Sequence, residues 1–347
     1  MKKFSRLISA LACMFIMSTA NAQNNTDSVT WNGKASPTAV PFLRMNTDIR
    51  SAGIGESGVA LPGDNVTHYA NAARMAQIES KGAVAVAYTP WMSNLAKNIA
   101  LYAASGHYKF NEREVFSASL RYFKQGKLLQ TDEYGQSVGE SNPYDLAVDV
   151  SYARKLSNRF SIGAAFRYIN SHIANNSYAG YKNGNAVAAD LGVYYQSKEN
   201  AQGQSWHAGA ALTNVGTKIK YGEDNSSYKL PSNFALGVAF QQKWEELHQV
   251  ILTTEVNKPL VKSYVDGFGK NIVYNVGGEY AYRKMLALRA GYNYENTAVG
   301  GLRYVTTGLG VYYKILRFDL AYLIPTQDGA NATISNTFKF GFSFLIQ

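Results

Sequence analysis

Thr337-Phe338-Lys339-Phe340-Gly341-Phe342-Ser343-Phe344-Leu345-Ile346 is apolar at every even position, and all but one of its odd positions are small or polar. Two residues is the side-chain period of a β-strand, so the four phenylalanines and Ile346 share one face. The same division recurs upstream. Phe116, Leu120 and Tyr122 alternate with Ser117, Ser119 and Arg121; Leu146, Val148, Val150 and Tyr152 with Ala147, Asp149 and Ser151; Leu316, Phe318, Leu320 and Tyr322 with Arg317, Asp319 and Ala321. In a soluble sandwich the apolar face would be core. Repeated along a whole chain, opposite a face that carries charge, it fits a closed barrel in lipid, apolar outside and polar inside.

Fourteen such segments are expected, near 84–88, 98–110, 116–122, 146–152, 160–168, 191–195, 205–215, 234–240, 248–258, 272–283, 286–292, 302–314, 316–324 and 338–346. The connections alternate in length. Those at 111–114, 156–158, 283–284 and 314–315 are short, whereas 126–143, 171–184, 216–231, 258–271 and 325–332 are long. Short turns on one side and long loops on the other mark a transmembrane antiparallel β-barrel of the outer membrane, and an even count places both termini in the periplasm. Nothing approaches the roughly 18 apolar residues of a spanning helix. The 25 tyrosines suit the boundary between lipid and water.

Residues 1–22 read as a secretory signal, with Lys2, Lys3 and Arg6 ahead of an apolar run and Ala20-Asn21-Ala22 as the cleavage site. Cys13 lies inside it and is the only cysteine, so the exported chain has no disulfide, thiolate ligand or thiol nucleophile. The net charge of +10 loses Lys2, Lys3 and Arg6 and becomes +7. Lysines and arginines scattered singly make no phosphate-tracking patch, which argues against nucleic acid. Anionic outer-membrane lipid, lipopolysaccharide included, is the better counterpart.

Positions of inward parity are small: Ala83, Ala85, Gly163, Ala165, Ala188, Gly192, Gly209, Ala211, Ala235 and Gly237. Fourteen strands enclose more room than side chains fill. The expected occupant is an N-terminal plug, residues 23–81, with a short helix within 69–78 and the barrel following at 82–347. Asp149, Arg167, Asp190, Glu255, Glu279, Arg289, Arg317, Asp319 and Lys339 face inward and can pair there. Gly53-Ile54-Gly55-Glu56-Ser57-Gly58 satisfies G-x-G-x-x-G, but no strand precedes it and Pro62-Gly63 follows at once. These glycines serve tight turns and close packing rather than a dinucleotide. No cofactor, metal or catalytic site is expected, since H-E-x-x-H, P-loop and G-x-S-x-G patterns are missing.

Asn46-Thr47-Asp48-Ile49-Arg50-Ser51-Ala52-Gly53-Ile54-Gly55-Glu56-Ser57-Gly58, with Tyr88-Thr89-Pro90-Trp91 and Ser119-Leu120-Arg121-Tyr122-Phe123 further on, resembles PorV-type proteins. These are outer-membrane components of the Bacteroidota type IX secretion system, within the FadL-like fourteen-stranded barrels. The terminal aromatic strand likewise resembles an outer-membrane assembly signal. The resemblance implies a non-enzymatic partner that binds the C-terminal signal domain of exported cargo. It would receive cargo from the translocon and deliver it to a surface sortase, or attachment, complex. It also marks Asn46, Asp48, Arg50, Gly53, Gly55, Glu56 and Gly58 as the signature of the plug. Pro90 ends a strand, and Trp91, Met92 and Leu95 then fall within one helical turn, the expected partner contact. The alternatives are a transporter of hydrophobic solutes, which rests on fold analogy, and a lipid-A esterase. For the latter Ser171-His172 is the available pair, although neighbours in a strand face opposite ways.

Overall fold

The structure, a computed structural model, describes residues 38–64, 69–92, 98–131, 134–173, 182–222, 227–245, 247–261, 271–296, 301–326 and 337–346. The expected signal segment and Leu95 lie outside them. Fourteen antiparallel strands close into a barrel: β1 (Gly82–Pro90), β2 (Ile99–Asn111), β3 (Glu114–Gln125), β6 (Tyr144–Lys155), β7 (Phe160–His172), β8 (Gly184–Gln196), β9 (Gln204–Gly216), β12 (Asn233–Trp244), β13 (His248–Pro259), β14 (Val273–Tyr282), β15 (Leu286–Glu295), β16 (Arg303–Tyr313), β17 (Leu316–Pro325) and β18 (Thr337–Ile346). Each pairs with the next, and β18 closes the ring on β1 from Gly82↔Ile346 to Tyr88↔Phe340. Two small hairpins, β4 (Leu128–Thr131) with β5 (Ser137–Ser141) and β10 (Ile219–Lys220) with β11 (Ser227–Tyr228), stand in the long connections. The sequence pattern did not reveal them, because strands of two to five residues are too short to show an alternation.

Every wall strand divides as its sequence does. In β7, Phe160, Ile162, Phe166 and Tyr168 are exposed on the outer face, while Ser161, Ala165, Arg167 and Ile169 are buried inside. Exposed apolar residues girdle the wall, the signature of a lipid-facing band. Aromatic rings border it. Near the long-loop rim Tyr322 meets Phe338, Phe340 meets Tyr88, and Tyr88, Tyr102, Tyr122 and Tyr144 follow in a chain to His172. At the short-turn rim Phe116 meets Tyr152, Trp206 meets Phe240, and His248 meets Tyr280 and Tyr282. In the turn between β14 and β15, Arg283 and Lys284 both take left-handed φ of 52° and Met285 N–H donates to Tyr282 O at 2.9 Å.

The segment ahead of β1 crosses the inside of this wall. At its start Ala39 N–H donates to Lys229 O at 3.1 Å and Phe42 stacks on Phe123, both at the long-loop rim. A single α-turn, Ile49–Ala52, and a 3-10 turn, Ala72–Gln77, follow. Near its end Gln196 Nε2 donates to Gln77 at 3.1 Å and Lys109 N–H to Lys81 O at 2.7 Å, at the short-turn rim. The even count does return β18 to the side where β1 begins. The chain ahead of β1 does not stay there, however: by Thr38 it has reached the opposite rim. Strand counting missed this because a crossing without a strand leaves no periodic trace.

Single cysteines placed at Tyr134 and Ser227, in the long connections, should react with a membrane-impermeant maleimide on intact cells. Cysteines at Asn158 and Lys284 should react only after the outer membrane is opened. Labelling of the second pair alone inverts the topology.

Candidate functional site

Wall glycines set how closely the inner segment approaches. A Cβ on Gly163 would strike the backbone of Ala73, one on Gly192 the side chain of Asn71, one on Gly209 Val59 O, and one on Gly291 Gly55 N. On the segment side, Gly55 has φ of +70°, and a Cβ there would lie 2.8 Å from Tyr292 N and 2.9 Å from Tyr292 O. Positive φ and backbone-to-backbone contact both require glycine. The G-x-G-x-x-G stretch uses its N–H groups on the wall. Gly55 donates to Thr306 Oγ1 at 2.8 Å, and Gly58 and Val59 both donate to Glu255 Oε2 at 2.7 Å. A carboxylate of β13 thus occupies the place that a phosphate takes in nucleotide sites.

Buried charges join segment to wall in a closed ring of alternating sign. Arg50 pairs bidentately with Glu279, at 3.0 and 2.7 Å, and with Asp64 at 3.2 Å. Glu279 pairs with Arg289 at 2.7 Å, Arg289 with Asp319 at 2.7 Å, Asp319 with Arg317 at 2.7 Å, and Arg317 with Asp64 at 3.2 Å. Three arginines therefore share three carboxylates. Bidentate Arg–carboxylate pairs fix orientation as well as energy. A second cluster lies in the wall, where Arg167 pairs with Asp149 and, at 2.9 Å, with Asp190. The inward charges read from parity thus all have partners, with Lys339 on Glu56 at 3.0 Å. Arg50 and Asp64 lie in an irregular segment, where parity says nothing.

The signature residues occupy these junctions. Asp48 Oδ1 caps the α-turn at Arg50 N, at 3.0 Å. Asn46 Nδ2 donates to Ser51 Oγ at 2.7 Å and its Oδ1 accepts from Asp48 N at 2.9 Å. Arg74 is fully buried and its guanidinium serves carbonyls, Leu61 O at 2.6 Å, Pro62 O at 3.2 Å and Gly58 O, which ties the 3-10 turn to the preceding loop. Asn71 donates to Val59 O at 3.0 Å and Val193 O at 2.9 Å.

Above this packing, at the long-loop rim, lies a cavity of about 400 Å³. Pro41, residues 43–46, Trp91, Arg121, Tyr304 and inward asparagines of β9 and β12 to β15 line it. Deeper in, Thr47, Asp48 and Tyr69 border a space of only about 20 Å³, room for a single water. Trp91 is half-buried over this mouth, its N–H donating to Ile99 O at 3.0 Å, and Met92 beside it has φ of 51°. The expected partner contact thus begins at the rim of the cavity rather than out in the leaflet.

Ser171 and His172 are not brought together. Ser171 points inward, hydrogen-bonded to Asp145 and Tyr221, whereas the His172 ring stacks on Tyr144 outside, 5.0 Å between centroids. His207 is held inside by Tyr194 Oη at 2.8 Å and Ser205 at 3.2 Å. No nucleophile, imidazole and acid converge among the described residues that carry these hydrogen bonds.

The family described as type IX secretion system protein PorV matches residues 28–266. The chain belongs to the PorV family. No curated protein matches it. Among solved structures, the P. putida toluene transporter TodX is similar with a TM-score of 0.52 at 14% identity, covering 86% of this chain and 98% of that one. The Ralstonia pickettii toluene transporter TbuX gives 0.50 at 12%, over 86% and 97%. The monoaromatic hydrocarbon channel CymD gives 0.52 at 13%, over 86% and 97%. At such identities these relatives speak for the fold alone. The PorV match covers the signature Asn46–Gly58, the Trp91 rim and the wall through β13, and it places the chain as an outer-membrane barrel of type IX secretion.

Proposed function

We propose that this PorV barrel binds the C-terminal signal domain of exported cargo and passes it from the translocon to the surface attachment complex. Residues 23–81 act as its fixed plug. Membership of the family carries this reading. The interior supports it: a lumen crossed by a segment held through six alternating charges is a scaffold, and it leaves the outer rim as the working surface. Transport of apolar solutes has the fold in its favour and the lining against it, since charged and amide groups border the mouth.

Affinity isolation from native outer membranes is the direct test. Recovery of cargo signal domains with translocon or attachment components is expected; bound apolar solute without protein partners would replace the reading with transport. At the rim, Trp91→Ala with Met92→Ala and Leu95→Ala should weaken recovery of partners by on the order of 2 kcal/mol or more while the barrel remains heat-modifiable. Undiminished recovery removes this loop from the interface.

A further inference from the structure

We infer that the outer mouth is also a binding site for a neutral, hydroxyl-rich ligand, a saccharide of one to three rings. The inference does not depend on the secretion role. Apart from Arg121, the charged groups of the mouth are already matched. Arg44 pairs with Glu295 at 2.8 Å and Lys339 with Glu56 at 3.0 Å, while Glu255 accepts from Gly58, Val59 and Asn257. What remains uncommitted is amide. Asn293 Nδ2 donates to Asn275 Oδ1 at 3.0 Å and Asn233 Nδ2 to Asn257 Oδ1 at 2.8 Å. These bonds fix the amides and leave Asn275 Nδ2 as a donor and Asn293 Oδ1 and Asn233 Oδ1 as acceptors on the cavity wall.

A donor beside an acceptor suits vicinal hydroxyls, each of which can both give and accept. Asn275 and Asn293 are directly opposed on neighbouring strands, their Cα atoms roughly 5 Å apart, so the two amides present a donor and an acceptor side by side on the cavity wall. An extended peptide repeats at about 3.4 Å per residue and falls out of step with groups spaced by strands. Trp91 and Tyr304 add flat apolar faces to the same cavity. Its volume, about 400 Å³, lies in the range of small-ligand sites.

A second observation points to an acceptor-bearing ligand at the other side of the mouth. Arg121 is 3% exposed, its guanidinium carbon 5.2 Å from the Tyr69 ring centre and 6.0 Å from that of Phe42. Its Nε and Nη2 make no hydrogen bond, and Asp149, the carboxylate it pairs with, is 3.6 Å away and shared with Arg167. A buried donor without an acceptor is costly, and a ligand oxygen would relieve it. A hydrocarbon solute would leave Arg121 and the asparagines unanswered together.

The test is titration of the purified full-length barrel, in a detergent without a sugar head group, with cellotriose, maltotriose and mannotriose. Calorimetry and tryptophan fluorescence are the readouts, with toluene and a neutral tetrapeptide as competing probes. Saturable binding of at least one trisaccharide is expected. It should weaken about tenfold or more in Asn275→Leu with Asn293→Leu, which keeps the branched shape and removes the amides. Should that double variant not fold, Trp91→Leu carries the same comparison. No binding of any trisaccharide to the folded wild type overturns the proposal. So does equal binding by a folded variant, or saturation by toluene or the tetrapeptide in place of sugar.

Discussion

Glu279→Gln should destabilise the barrel by about 3–5 kcal/mol, the range for breaking a buried ion pair by removing one partner. The substitution keeps the shape and one acceptor oxygen but removes the charge shared by Arg50 and Arg289, at 2.7 Å on either side. The ring is then left with three guanidinium groups and two carboxylates, in side chains that are at most 13% exposed. Urea unfolding in lipid vesicles, with heat-modifiability as the assay for the closed barrel, reads the loss. The comparison is Glu140→Gln, whose partner Lys127 is 2.9 Å away in the exposed outer hairpin. That pair should contribute less than about 1 kcal/mol. Replacing Arg50 and Glu279 together by methionine should recover part of the loss, since an uncharged pair leaves fewer unmatched charges. Equal stability of Glu279→Gln and Glu140→Gln would mean that the ring does not hold the segment in place.

Gly55→Val is expected to be of similar severity, about 2–6 kcal/mol, by two additive routes. A branched residue at φ +70° costs of order 1–3 kcal/mol. Its Cβ, less than 3 Å from the Tyr292 backbone, forces apart strands that cannot shift alone, and overpacking adds about 1–3 kcal/mol. Gly135→Val separates the two routes. Gly135 has φ of +75° with nothing within 4 Å of a Cβ, so it keeps the backbone penalty and loses the clash. The wall should tolerate it. A folded, fully heat-modifiable Gly55→Val would show that the close approach of segment to wall is dispensable.

The wall was legible because lipid enforces alternation on every strand that faces it. Phe338 to Ile346 shows this best, and all fourteen segments lie where parity put them. The inward charges were legible for the same reason, including Glu279, Arg289 and Asp319. Of their partners, Arg50 was marked only by the family resemblance and Asp64 not at all, because a chain folded as one α-turn, loops and a 3-10 turn has no period to betray which side chains face the wall. The mouth was hidden differently. Asn233, Asn257, Asn275 and Asn293 are far apart in sequence, and each is an unremarked polar residue of correct parity. Only the register of β12 to β15 places them side by side. For the glycines of Gly53–Gly58 the sequence suggested packing, but it gave no sign that the inward Glu255 answers the N–H groups of Gly58 and Val59.

The path of residues 38–81 has a bearing on how the molecule is made. The chain enters at one rim, leaves at the other and is then encircled by its own continuation, with the last strand stitched to the first between Gly82 and Ile346. A finished cylinder offers no route for that length: Arg50 and Asp64 would have to be dragged through a bore whose glycines already touch backbone. The β1–β18 seam joins residues from the two ends of the barrel sequence and so carries the largest loop-closure cost of the wall, and the segment has to be inside before it closes. Until then the inner segment acts as a mandrel around which the sheet is wound. Interior packing is thereby tied to closure of the wall: a chain that closed too early would seal the bore against its own core.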